Sequence, residues 1–267
     1  MRRISTAALA LLLSAAPAAA GVLRVCADPN NLPFSNHAGQ GFENKIAALV
    51  ARDLHDRVSY AYALQNARFL KHTLFAHRCD VVMGIAAGVP DVATTRPYYA
   101  STYVLVARKR DALGLSSLSD PRLKHLKIGV HLIGDDSTPP VLALSREGIV
   151  DNVRGYMIQS DFGKPNPPAR LIEAVEKKDI DVAAMWGPLA GYFALHSATA
   201  LDVRPIADAD AFPPLRFRFA IAMGVRPQDT ALRAGLDAAI AREQGAIRNI
   251  LKAYGVPLVA MDGGENG

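Results

Sequence analysis

Residues 169–188 read ARLIEAVEKKDIDVAAMWGP, and the residues before them are Asn166, Pro167 and Pro168. Prolines at a helix start followed by apolar residues at helical spacing predict an amphipathic helix over 166–179. The unbroken apolar run IDVAAMW (180–186) predicts a buried strand, and Gly187-Pro188 opens a second helix, GPLAGYFALHS (187–197). Helix, buried strand and helix in succession are the signature of a parallel sheet covered by helices. In such sheets ligands sit beyond the carboxyl ends of the strands. Trp186, the only tryptophan in the chain, falls at one of those ends.

The same alternation extends in both directions. Toward the N-terminus, VLRVCA (22–27) is a strand, DPNNLPFSNHAGQG (28–41) a turn-rich loop, and FENKIAALVARDLHD (42–56) a helix with Phe42, Ile46, Leu49, Val50 and Leu54 on one face. RVSYAYAL (57–64) alternates as a strand, ARFLKHTLFAHR (67–78) has helical spacing, and DVVMGIA (80–86) is a buried strand. STYVLVARK (101–109) is a strong strand that runs into a linker-like stretch. Then KIGVHLI (127–133) is a strand, STPPVLALSREG (137–148) a helix and VRGYMIQ (153–159) a strand. Beyond residue 197 come the strands LDVRPI (201–206) and RFRFAIAMGV (216–225), then two helices at 230–243 and 245–255. Two α/β units result. The last helices either return to the first unit, with crossings near 105–112 and 208–220, or stay on the second; periodicity is compatible with both.

MRR, AALALLL and SAAPAAA in residues 1–20 form a basic start, a short apolar middle and a small-residue end, the pattern of an export signal cleaved after Ala20. No later stretch is long enough to span a membrane as a helix. The formal charge of +5 falls to +3 once Arg2 and Arg3 are removed. The basic residues are scattered without interleaved aromatics, which argues against a nucleic-acid partner. Half of the residues are apolar, enough for real cores, and the chain suits one large domain or two ordinary lobes. Cys26 and Cys79 are the only cysteines; an even count in an exported chain suggests a disulfide, with two buried free thiols as the alternative. HExxH, GxSxG, P-loop and GxGxxG patterns are all missing, and no cofactor, metal site or enzyme activity is expected.

Six stretches carry a family resemblance: LRVCADPNNLPFSN, GFENKIAALVARDL, RCDVVMGIAAG, TTRPYYASTYVLVARK, LKIGVHLIG and ARLIEAVEKKDIDVAAMWGP. They resemble periplasmic solute-binding proteins of family 3, which serve polar amino-acid importers. Within that family, VCADPNNLPFSN, TTRPYYASTYV, LIGDD and NPPARLIEAVEKKDIDVAAMWGPLAGYF are closer to the J proteins of methanol-oxidation operons, the MxaJ/XoxJ-like branch. The resemblance implies an α/β periplasmic-binding-protein-like fold: two α/β lobes with a cleft, joined by two crossing strands. It places lobe 1 at 21–107 and 219–267, and lobe 2 at 108–218. In that fold the strands that carry or adjoin Cys26 and Cys79 are neighbours about 4.8 Å apart, within reach of a Cys26–Cys79 disulfide.

Amino-acid capture needs a bidentate arginine for the carboxylate and an acid for the ammonium. In amino-acid-binding relatives the arginine precedes the Tyr pair by several residues; here that position holds Val-Pro-Asp-Val, and Arg96 stands directly before Pro97. The acid after the DVAA strand is replaced by Trp186-Gly187. Both halves of the clamp are therefore expected to be lost. The strand ends of lobe 1 place Asn30, Asn31, Pro33 and Phe34 at the cleft, with Arg96, Tyr98 and Tyr99 nearby. Those of lobe 2 place Asp135, Asp136, Pro139, Asn166, Pro167, Trp186, Gly187, Pro188 and Tyr192 there. Asp135-Asp136 are expected to cap the helix that follows. Such an aromatic and proline-rich mouth suits a protein segment or an apolar ligand. The J-protein resemblance implies a periplasmic accessory protein that docks on or assists a quinoprotein (PQQ-dependent) methanol or alcohol dehydrogenase, with its cytochrome c as a further candidate partner. The competing expectation is a receptor for an ABC importer that takes a small solute other than an ordinary amino acid.

Overall fold

The computed structural model describes residues 21–133, 136–158 and 167–261. The export-signal residues 1–20, Asp135 and Asn166 lie outside the described residues. In chain order the elements are β1 (Val22–Ala27), β2 (Asn30–Asn31), β3 (Ser35–Asn36), α1 (Phe42–Asp53), β4 (Arg57–Tyr62), α2 (Phe69–His72), β5 (Val81–Ala86), β6 (Ala93–Thr94) and β7 (Tyr99–Arg108). There follow β8 (Ile128–Ile133), β9 (Asp136–Ser137), α3 (Pro139–Arg146), β10 (Val153–Met157), α4 (Arg170–Glu176), β11 (Val182–Trp186), α5 (Gly187–Leu195), β12 (Leu201–Pro205), β13 (Arg218–Val225) and α6 (Thr230–Ala253).

Eleven strands share one sheet, whose main path runs β10-β8-β11-β7-β13-β5-β1-β4. Its outer thirds are parallel, β4-β1-β5 on one side and β10-β8-β11 on the other. The two central strands are antiparallel to each other and carry the chain across. The first residues of β7, Tyr99–Thr102, pair with β13; the remainder, from Tyr103, pairs with β11 and β12. β13 then returns to pair with β5. The terminal helix follows it back: Leu236, Ala239, Ile240, Ile247 and Leu251 of α6 share a core with Leu23, Val25, Ile46 and Val50. Two further cores fill the other half, on opposite faces of the sheet. One is built on Leu105, Ile128, Leu144 and Phe217, the other on Val104, Leu171, Val175, Met185 and Leu189.

Three local expectations are corrected. The helix expected over 67–78 is helical only over Phe69–His72. The buried Arg226 guanidinium takes the carbonyls of Leu74 (3.0 Å) and Cys79 (2.6 Å), and His77 turns in the left-handed region (φ 56°). Those carbonyls are thereby withdrawn from helical pairing, and Cys79 is delivered to Cys26. The two are disulfide-bonded, with Cα atoms 5.3 Å apart. The second correction is at the C-terminus, where the two expected helices are one, α6. Gly245 costs helix propensity of about 1 kcal/mol, but Ile240 on one side and Ile247 and Leu251 on the other are pinned to the same core. Third, the N-cap position of α3 is Thr138, and the Asp136 backbone pairs in β9 with Ile133; Asp135 lies outside the described residues.

Arg108 holds the far end of β7. Its side chain is buried; Nη1 donates to the carbonyls of Val175 (2.5 Å) and Ile180 (2.8 Å), and Nε to Asp111 (2.6 Å). The guanidinium thus ties the crossing strand to both ends of the turn between α4 and β11.

Candidate functional site

A cavity of about 310 Å³ opens where the two halves of the sheet meet. The loop 28–41 forms one wall. Asp28, at the end of β1, is buried and its carboxylate accepts the backbone N–H of Asn30 (2.8 Å) and of Gln65 (2.7 Å). Asn31 Nδ2 donates to Gln65 Oε1 at the rim (2.8 Å). Phe34 lines the cavity, and its carbonyl accepts the N–H of Glu43, which seats the loop on the first turn of α1. Across the sheet, Tyr99 and Tyr103 come from β7, Phe219 and Ile221 from β13, His131 from β8, and Trp186 and Leu189 from the β11–α5 junction.

The rings pack edge to face. Trp186 meets Tyr103 at 5.3 Å and Phe219 at 5.8 Å between centroids. Trp186 and Tyr103 are directly opposite each other across β11 and β7, so the pairing register brings them together. Half-buried Trp186 packs against the cores of both halves of the molecule. Gly187, behind it, permits this: a Cβ there would lie 2.5 Å from the Thr102 carbonyl oxygen and from Pro257 Cγ.

Of the residues expected at the cleft, Asn31, Phe34, Tyr99 and Trp186 line this cavity. Gly187 and Pro188 are buried behind Trp186 at the start of α5. Tyr98 points into the core, where its hydroxyl donates to the Met83 carbonyl (2.7 Å). Arg96 is exposed, its backbone N–H bonded to Asp237 Oδ1 (2.6 Å), and is not among the lining residues. Tyr192 stacks on Tyr254 (5.7 Å, 17° between planes) on the outside of α5. Asn30 lies in the β2–β3 ribbon, Pro33 is buried behind Phe34, and Pro139 and Pro167 begin α3 and the 3₁₀ turn before α4.

Three acidic or basic residues of the cavity were not named as cleft residues from the sequence: Asp28, described above, Glu43 and His131. Glu43 lies in the first turn of α1, where an acid reads as a partner for the helix dipole. Its spacing to Ile46, Ala47 and Val50 puts it on the buried face, and that is the signal that would have found it. Its carboxyl has no hydrogen-bond or ion-pair partner among the described residues, and burial pushes its pKa up to about 8. His131 is 1% exposed with both ring nitrogens unpartnered among the described residues, and burial pushes its pKa down to about 3. The Tyr103 hydroxyl is pushed up to about 12 by burial. At neutral pH Glu43 and His131 are therefore both largely uncharged, in a chamber walled by aromatic rings. Among the described residues no group of three His, Cys, Asp or Glu side chains is placed to hold a metal.

Two α/β halves, two crossing strands and a cavity at the strand ends between them define a periplasmic-binding-protein fold. The solved structure of periplasmic binding protein XoxJ from Methylobacterium extorquens AM1 has a TM-score of 0.75 and 37% identity, covering 89% of this chain and 99% of that one. MxaJ from Methlophaga aminisulfidivorans MPT superposes with a TM-score of 0.79 at 24% identity, over 89% of this chain and all of that one, a likeness of fold. In sequence, Protein MoxJ of Methylorubrum extorquens is 34% identical over 265 residues, 95% of this chain and 87% of its own length. The chain belongs to the MoxJ/XoxJ/MxaJ family. No protein-family model matches it.

Proposed function

We propose that this protein is a periplasmic accessory protein that docks on or assists a PQQ-dependent methanol or alcohol dehydrogenase, and that it acts by binding rather than by catalysis. The observation that carries the reading is the near-full-length identity with MoxJ. It is supported by what the cavity lacks for amino-acid capture: among the described residues its lining holds no Lys or Arg, so none of them offers a guanidinium to a ligand carboxylate. No helix among the described residues is long and apolar enough to cross a membrane, in keeping with a periplasmic site. Cleavage of residues 1–20 after Ala20 is part of the proposal, as is a division into lobe 1 (21–107 and 219–267) and lobe 2 (108–218). The mouth formed by Asn31, Phe34, Tyr99 and Trp186 is the proposed docking region, with the dehydrogenase's cytochrome c as a second candidate partner.

The test is biolayer interferometry of the immobilised protein against the purified dehydrogenase of the same organism, alongside dehydrogenase activity in a deletion strain. Saturable binding and a drop in activity that the restored gene reverses are expected. Absence of binding together with unchanged activity refutes the reading. Sequencing of the exported protein's N-terminus checks for a start at Gly21.

A further inference from the structure

We propose that the cavity is a binding site for a small organic monocation, an amine in its ammonium form on an aromatic or branched apolar body, with Glu43 as its counter-ion. The reading is independent of any dehydrogenase partner.

Charge selects the class. Among the described residues the lining holds two acids, Asp28 and Glu43, and no basic side chain other than His131. Asp28 is already held by backbone N–H groups. Glu43 is held by nothing among the described residues, and Gly84 leaves it the space it occupies: a Cβ on Gly84 would lie 2.1 Å from Glu43 Oε1. An anion entering here meets carboxyl groups and, among the described residues, no guanidinium. A hydrocarbon fits the rings but leaves the Glu43 carboxyl without a partner, which is unfavourable for a polar group away from water. An ammonium group satisfies the Glu43 carboxylate by a charge-assisted hydrogen bond. Tyr103, Trp186 and Phe219 line the same cavity and supply an aromatic wall, the kind of surface that attracts cations through the ring quadrupole. A volume of about 310 Å³ is at the small end for ligand sites, which suits one ring and a short chain.

Proton release accompanies the binding. Burial holds Glu43 protonated near neutrality, and a bound ammonium requires the carboxylate, so one proton leaves Glu43 for solvent as the ion pair forms. The groups facing Glu43 are Tyr60 from β4, Tyr98 just before β7, Tyr99 from β7, and, around the cavity, Asp28 and His131. The tyrosines are shifted up by burial and stay neutral over this range, and His131 stays neutral down to about pH 3. Glu43 is thus the group whose titration near pH 8 governs affinity.

Isothermal titration calorimetry on the full mature chain tests this with three matched probes: phenethylamine, 2-phenylethanol and 3-phenylpropanoate. At pH 7, in phosphate and in Tris, the amine is expected to bind at least tenfold more tightly than the alcohol, and the carboxylate not at all. The difference between buffers is expected to report release of close to one proton, falling to near zero at pH 9. Glu43→Gln is expected to abolish both the amine preference and the proton release. Proton release is measured on the unaltered protein, so the test does not hinge on the variant. Equal or tighter binding of the alcohol, binding of the carboxylate, no binding of any probe at millimolar concentration, or amine binding without proton release at pH 7 overturns the proposal.

Discussion

Glu43 makes a prediction about stability that follows from its surroundings. Its carboxyl faces an apolar cavity without a partner among the described residues, and burial raises its pKa from 4.5 to about 8. The folded state therefore binds this proton more tightly than the unfolded chain. Stability from this group is fully present below pH 4.5, is lost progressively as pH rises through neutrality, and is gone above pH 8. One pKa unit corresponds to about 1.4 kcal/mol, so the loss reaches about 3 kcal/mol at pH 7 and about 5 kcal/mol above pH 8. Glu43→Gln keeps the size and hydrogen-bonding capacity of the neutral acid and cannot ionise. Its stability relative to the unaltered protein should thus rise by those amounts between pH 4.5 and pH 9. Urea unfolding at pH 4.5, 7 and 9, followed by the emission of the sole tryptophan, Trp186, gives both curves. All other titrations are common to the two proteins and cancel in the difference. A difference constant to within about 0.5 kcal/mol across that range, the usual scale of a neutral surface change, would show that Glu43 is solvated or paired and refute the reasoning.

Four further outcomes are expected. His131 has a depressed pKa, so its contribution is present above pH 6.5 and is lost as pH falls toward 3; His131→Gln should spare about 3 kcal/mol at pH 4.5 relative to the unaltered protein. Equal acid-unfolding midpoints for the two proteins would refute this. Removing the Cys26–Cys79 bond by the double serine variant should cost about 4 kcal/mol in urea unfolding, from the 53-residue separation it closes. Arg108→Ala leaves the Val175 and Ile180 carbonyls without their donor and should cost about 3–5 kcal/mol by the same assay; a loss under about 1 kcal/mol, the scale of an exposed ion pair, would show that the tie is superficial. Gly187→Ala drives a methyl into the Thr102 carbonyl and Pro257 and should cost about 1–3 kcal/mol, and a neutral change would mean that α5 moves freely against β7.

Nine of the eleven strands of the sheet, all but the two-residue β6 and β9, were legible to within a few residues. KIGVHLI, IDVAAMW and RFRFAIAMGV are apolar runs whose length and β-branched content differ from the helical faces between them. The β2–β3 ribbon was not legible, because two residues per strand carry no period. The truncation of α2 was not legible either, since its cause is Arg226, about 150 positions later. The candidate site was half legible. Asn31, Phe34, Tyr99 and Trp186 followed from the rule that sites lie at strand ends, whereas Tyr103 and Phe219 read only as interior strand residues and Glu43 only as a helix-start acid.

Local periodicity reports which face of an element is turned from water. That was sufficient for the order of helices and strands, the two α/β units, and the loss of the arginine and acid that would clamp an amino acid. It does not report what the buried face meets. Whether α6 returns to the first half, and whether the inner faces of β7, β13 and β11 enclose packed core or open space, depend on where two distant stretches of chain come together. Only the tertiary structure decided that Trp186, Tyr103 and Phe219 converge from three strands on Glu43 and His131. The burial that leaves those two groups unpaired belongs to the meeting of the halves, not to either segment alone.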